Sequence, residues 1–122
     1  MASVLIADDD RNNRLLVRAV AEHRGHEVFE AADGAAVLQI CRSHRVDLLL
    51  LDLGLPGMSG SDVLRALRAA AGTQAVRVAL YTATRPDAAM GDFMEMYGVR
   101  HRIEKPSDAR DLMEAIEAAL RD

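Results

Sequence analysis

The stretch Val46-Asp47-Leu48-Leu49-Leu50-Leu51 is apolar at every position but one. Side chains of a strand alternate between its two faces, so this strand offers both faces to a core. Such a strand belongs in the middle of a parallel sheet, with helices packed above and below it. Val4–Ala7, Val28–Ala31 and Val78–Tyr81 are short runs of the same kind, and Arg100–Glu104 is a weaker one. The stretches between them have helical spacing instead. Leu16 and Val20 mark the first, and Val37, Leu38 and Cys41 the second. Val63, Leu64 and Leu67 mark the third, Phe93 and Met94 a poorly patterned fourth, and Leu112, Ile116 and Leu120 the last. Strand and helix in alternation require parallel pairing through right-handed crossovers. The expected architecture is a doubly wound α/β domain over residues 1–122, five strands with five helices on both faces.

Local signals fit these boundaries. Gly25 stops the first helix. Ser59 is placed to cap the third, with Asp62 at the capping-box position. Ser107 is expected to cap the fifth, with Asp108 and Asp111 in the first turn where the helix dipole favours acids. The region Arg85–Met96 holds Pro86, Gly91 and the methionines Met90, Met94 and Met96, which predicts a short or mobile fourth helix.

Several functions are disfavoured. The net charge is −4 and the basic residues are scattered, so no surface for direct nucleic-acid binding is expected. No apolar run approaches the roughly 20 residues of a membrane span. Met1-Ala2-Ser3 leads into a strand without a basic leader, so a soluble cytoplasmic domain with no membrane partner is expected. The single cysteine, Cys41, reads as a packing residue that suits a reducing compartment. His23, His26, His44 and His101 lack ligand spacing and read as surface residues. Gly54, Gly57 and Gly60 are turn glycines and do not form a phosphate loop.

In open α/β sheets the ligand lies outside the carboxyl ends of the strands. There the first strand delivers Asp8, Asp9 and Asp10, the third Asp52, the fourth Thr82, and the fifth Lys105. Three adjacent acids exceed the one that helix capping needs, and crowded carboxylates ionise together when a divalent cation sits among them. Mg²⁺ is held by carboxylates, waters and phosphate oxygens. A carboxylate is a competent nucleophile towards phosphorus. The charge of a phosphoryl group in transfer is met by positioned cations and donors, here Lys105, Thr82 and a backbone N–H.

Leu5–Asp10, Asp52-Leu53-Gly54-Leu55-Pro56-Gly57-Met58-Ser59-Gly60, Tyr81-Thr82-Ala83 and Lys105-Pro106 together resemble the markers of the response-regulator receiver domain. The resemblance spans the whole chain. It implies a flavodoxin-like sheet of order 2-1-3-4-5 and transfer of a phosphoryl group from a kinase phosphohistidine to an aspartate, with Mg²⁺ or Mn²⁺. Carried over by position, Asp52 is the acceptor, Asp9 the direct metal ligand and Asp8 its helper, with the Gly54 carbonyl completing the set. Thr82 and the Ala83 N–H would hold phosphoryl oxygens. Lys105 would pair with Asp52 when no phosphoryl group is present, and the Lys105-Pro106 bond is expected to be cis. The implied partners are a sensor histidine kinase or phosphotransfer protein, and a downstream protein or fused output domain. The only catalysis implied is of its own phosphorylation and dephosphorylation.

Arg102 and Gly54 depart from that family, Gly54 standing where a larger side chain is usual. Arg102 stands where an aromatic commonly moves with the hydroxyl at the Thr82 position, and an always-charged side chain is not expected to bury there. Tyr81 cannot replace it, because it points to the opposite face from Thr82. Two other readings compete. A haloacid-dehalogenase-type phosphatase would use Asp8 as nucleophile and Asp10 as acid, but the chain is short for that fold and Asp52 would lose its role. A non-phosphorylated interaction module would leave the intact acidic set unexplained.

Overall fold

The computed structural model describes all residues, Met1–Asp122. The elements run β1 (Ser3–Ala7), α1 (Arg11–His23), β2 (Glu27–Ala31), α2 (Gly34–Ser43), β3 (Leu48–Leu51), α3 (Gly60–Ala69), β4 (Arg77–Thr82), α4 (Ala88–Tyr97), β5 (His101–Glu104) and α5 (Ala109–Arg121). The five strands form one parallel sheet in the order β2-β1-β3-β4-β5.

Alternation along the strands builds two cores. Leu5, Leu49, Leu51 and Leu80 face α2, α3 and α4, where they meet Val37, Cys41, Val63, Leu64, Leu67 and Met90. Val4, Ile6, Leu48, Leu50 and Tyr81 face α1 and α5, where they meet Val17, Val20, Leu112 and Ile116. All four leucines of β3 are buried. Each fully buried leucine contributes roughly 1.5–3 kcal/mol, so only the central position suits this strand.

Four local expectations need correction. Val46 and Asp47 lie outside β3. Asp47 turns its carboxylate onto the start of β1, accepting from the Ser3 N–H at 2.8 Å and the Ser3 hydroxyl at 3.2 Å, since an acid has no place in the core. Arg100 likewise falls outside β5. The cap of α5 is Asp108, which accepts from the Asp111 N–H at 2.8 Å, while the Ser107 hydroxyl donates to the Glu104 carbonyl. The fourth helix is not short: it has ten residues, as α2 and α3 do. Asp87 caps it at one end, and Gly98 ends it at φ 67°, a left-handed conformation that glycine adopts without strain. Met90 is buried against the core and Met94 half-buried, whereas Met96 is 74% exposed. The other capping expectations hold: Asp10 starts α1 and Ser59 starts α3.

His26 also departs from a surface role. Its side chain is only 8% exposed, with Nδ1 accepting from the Ala2 N–H at 3.1 Å and Nε2 against Glu117 at 2.7 Å. It ties the start of β1 to α5. Cys41 packs in the core as expected, and burial pushes its thiol up to about 11.

Candidate functional site

The backbone ladder runs one residue beyond several strands and gathers the site on one rim. The Asp8 N–H donates to the Ala31 carbonyl at 3.0 Å, and the Asp52 N–H to the Ala7 carbonyl at 2.9 Å. The Lys105 N–H donates to the Thr82 carbonyl at 3.0 Å. Asp8, Asp52, Thr82 and Lys105 therefore sit side by side although 97 positions separate the first from the last. The Lys105-Pro106 bond is cis.

Lys105 bridges two acids. Its Nζ lies 2.5 Å from Asp8 Oδ2 and 3.2 Å from Asp52 Oδ2, so the shorter contact is to Asp8. Burial works against its charge, but the hydrogen bonds to Asp8 and Asp52 outweigh that and raise its pKa. The ammonium also stands 4.9 Å from the ring centroid of Tyr81, a cation–π distance. Lys105 is therefore charged and aimed at neutral pH.

Asp8, Asp9 and Asp52 each offer an oxygen within 4.8 Å of the others. They differ in freedom. Asp8 is fully buried, Asp52 half-buried and Asp9 exposed. Asp8 Oδ1 accepts from the Asp10 N–H at 2.9 Å, and Oδ2 from Asn13 Nδ2 at 3.0 Å as well as from Lys105. Asp52 Oδ1 accepts from the Gly54 N–H at 3.1 Å. Three carboxylates against one ammonium leave two formal negative charges. Hard oxygen donors with that charge fit a divalent cation such as Mg²⁺.

Thr82 is 2% exposed, and its Oγ1 accepts from the Thr84 N–H at 3.1 Å, which leaves its own proton free to donate. Ala83 is exposed beside it. A Cβ added at Gly54 would lie 3.7 Å from Asp52 Oδ1, so the glycine leaves the acceptor open on that side. Asp10 is occupied as the cap of α1, accepting from the Asn12 N–H at 2.8 Å.

Sequence reasoning missed two residues of α1. Besides Asn13, Arg14 Nη1 donates to the Asp8 carbonyl at 2.8 Å, while its Nε meets Glu30 at 3.1 Å. Their spacing after the acids was the only available signal. Arg102 finds a polar partner. The side chain is half-buried, with Nη2 donating to the Thr84 carbonyl at 2.5 Å and Nε buried without a partner. The guanidinium thus reaches a carbonyl of the β4–α4 loop.

A family model described as "Response regulator receiver domain" matches residues 4–117. The chain belongs to the response regulator receiver family. Receivers are phospho-accepting modules of two-component signalling, and neither the phosphatase nor the non-phosphorylated reading is favoured. The chain is 31% identical over 120 residues to "Protein PilH" of Pseudomonas aeruginosa, covering 98% of each. It is 31% identical over 117 residues to "Sporulation initiation phosphotransferase F" of Bacillus subtilis, covering 96% of this receiver and 92% of that protein. It is 36% identical to "DNA-binding response regulator MtrA" of Mycobacterium tuberculosis over 118 residues, 97% of this chain and 50% of that one. Among solved structures, a CheY-like receiver domain from Methanospirillum hungatei has TM-score 0.87 at 26% identity, covering 99% and 94% of the two chains. CheY4 of Vibrio cholerae has TM-score 0.89 at 24% identity, covering 98% of each, a likeness of fold. No helix of this receiver is long and apolar enough to cross a membrane.

Proposed function

We propose that Asp52 is the phospho-acceptor of this receiver, and that residues 1–122 act as one receiver domain. The observation that carries this reading is the placement of Asp52: a half-buried carboxylate with an ammonium at 3.2 Å and two further carboxylates within 4.8 Å. An Asp52 oxygen attacks the phosphorus of a phosphohistidine. The P–O bond forms, the P–N bond breaks, and the departing imidazole takes a proton. Lys105 offsets the charge gathering on the phosphoryl oxygens, and the Thr82 hydroxyl and Ala83 N–H donate to them. Asp8, Asp9, Asp52 and the Gly54 carbonyl would hold Mg²⁺ or Mn²⁺. Such an ion supplies charge neutralisation between carboxylates and phosphoryl oxygens. Hydrolysis of the aspartyl-phosphate by water returns the domain to rest, so the only chemistry catalysed is its own phosphorylation and dephosphorylation.

The donor in this reading is a sensor histidine kinase or a phosphotransfer protein, in keeping with a relative named as a phosphotransferase. The output passes to a downstream protein or a fused output domain, and the switch involves Thr82 and Arg102. A formal charge of −4 supports a receiver that does not itself contact nucleic acid. A free, buried cysteine supports work in the reducing cytoplasm. The test is incubation with acetyl phosphate and Mg²⁺, followed by intact mass. The wild type should gain one phosphoryl group and Asp52→Asn none. Gain at another residue, or none at all with either acetyl phosphate or a kinase, refutes the assignment.

A further inference from the structure

Asn13 lies in the first turn of α1 and is half-buried. Its amide nitrogen donates to Asp8 Oδ2 at 3.0 Å, the oxygen that also faces Lys105 at 2.5 Å. The Asp10 N–H holds the other oxygen at 2.9 Å. A carboxylate has about four acceptor positions, so three protein donors nearly saturate Asp8 and fix its torsion. Asp9, by contrast, is exposed and accepts no hydrogen bond from the protein.

We propose that Asn13 is a positioning residue for divalent-cation binding, acting through Asp8. This rests on the reading of Asp8, Asp9 and Asp52 as a metal site. The chemistry of the amide suits the task. A neutral donor holds the carboxylate without cancelling its charge, so the pocket keeps the two negative charges that match a divalent ion. A second cation there would remove one of them. The amide also shares Oδ2 with Lys105, so the ammonium is not the sole tether of Asp8 and remains available to Asp52. The main chain is held separately, by Arg14 on the Asp8 carbonyl at 2.8 Å and Glu30 on Arg14 at 3.1 Å. Removing the Asn13 amide therefore takes away one of three restraints on the Asp8 side chain and leaves the loop in place. Partners of this kind, one bond removed from the metal, typically change metal affinity 10–100-fold.

The experiment is a Mg²⁺ titration of the unphosphorylated protein, read by calorimetry and by the amide resonances of Asp9 and Gly54. Asn13→Leu keeps the branched shape and removes the donor; Asn13→Gln restores a donor. Asn13→Leu should bind Mg²⁺ about tenfold more weakly, with Asn13→Gln partly rescued. In an Asp8→Asn background, Asn13→Leu should cause no further loss. Unchanged Mg²⁺ affinity in Asn13→Leu, whatever its melting temperature, would make Asn13 a purely structural residue and overturn the inference. So would an equal loss in the Asp8→Asn background, since Asn13 would then act by another route. If the wild type binds no Mg²⁺, the reading of the acids as a metal site fails first.

Discussion

Arg102 Nη2 donates to the main-chain carbonyl of Thr84 at 2.5 Å, while its own Nε is buried and meets no acceptor. One side chain thus makes a good contact and carries a defect. A hydrogen bond from a charged group contributes roughly 1.5–3 kcal/mol, and an unmet buried donor costs roughly 1–3 kcal/mol. The two nearly cancel. Arg102→Met should therefore change the unfolding free energy by less than about 1 kcal/mol in urea denaturation. A loss above about 3 kcal/mol would mean that Nε is in fact satisfied. Because Thr84 also donates to the Thr82 hydroxyl at 3.1 Å, the same variant should alter the acetyl-phosphate reaction rate while leaving stability nearly intact.

Asp9 sits against Asp8 and Asp52, with oxygens of all three within 4.8 Å, and has no cationic partner of its own. Without metal it adds repulsion. Asp9→Asn should raise the melting temperature in EDTA. Adding MgCl₂ should then narrow or reverse the gap, because a ligand that binds only the folded wild type stabilises only it. A lower melting temperature for Asp9→Asn in EDTA would contradict this account of the pocket.

Glu30 accepts from Arg18 Nε at 2.6 Å and from Arg14 Nε at 3.1 Å. The Arg18 hydrogen bond, against the opposing effect of burial and with help from Arg14, holds its carboxyl below the ordinary value of 4.5. A lowered folded pKa gives stability that is fully present above the unfolded value and is lost as pH falls through the folded one. Glu30→Gln should therefore be less stable than the wild type at pH 7, and the difference should fade below about pH 4.5. Urea midpoints measured from pH 7 to pH 3 give the profile. A gap that stays constant over that range would show that the ion pairs contribute nothing.

Burial pushes the Cys41 thiol up to about 11, so little thiolate forms at pH 8. Iodoacetamide should leave the folded protein unlabelled over hours at pH 8 and label it fully in urea, as read by intact mass. Rapid labelling of the folded chain would show that α2 opens readily.

Much of the fold was written in local pattern. The leucines of β3 are apolar on both faces, and only a central strand can use both. Asp10 and Ser59 were legible as caps because the signal is a short side chain next to a helical period. Asp47, Ser107 and the length of α4 were misjudged because their partners do not show in composition. Asp47 found donors in Ser3, 44 residues away, Ser107 yielded its cap to its neighbour, and α4 gained caps from Asp87 and Gly98 that composition had hidden.

The sequence by itself determined the alternation of strands and helices and the set of acids, hydroxyl and lysine that the strand ends carry, because side-chain period and residue chemistry are local properties. Only the tertiary structure decided how that set is divided. Asp8 was assigned as a helper from resemblance, but its saturation by Asn13, Asp10 and Lys105 is a matter of packing between α1 and the ends of β1 and β5. Arg102 was expected not to take the apolar place of an aromatic, and the structure gives it the Thr84 carbonyl as a partner. Hydrogen-bond partners in a buried site are chosen by distance and direction across elements, and no spacing along the chain encodes them.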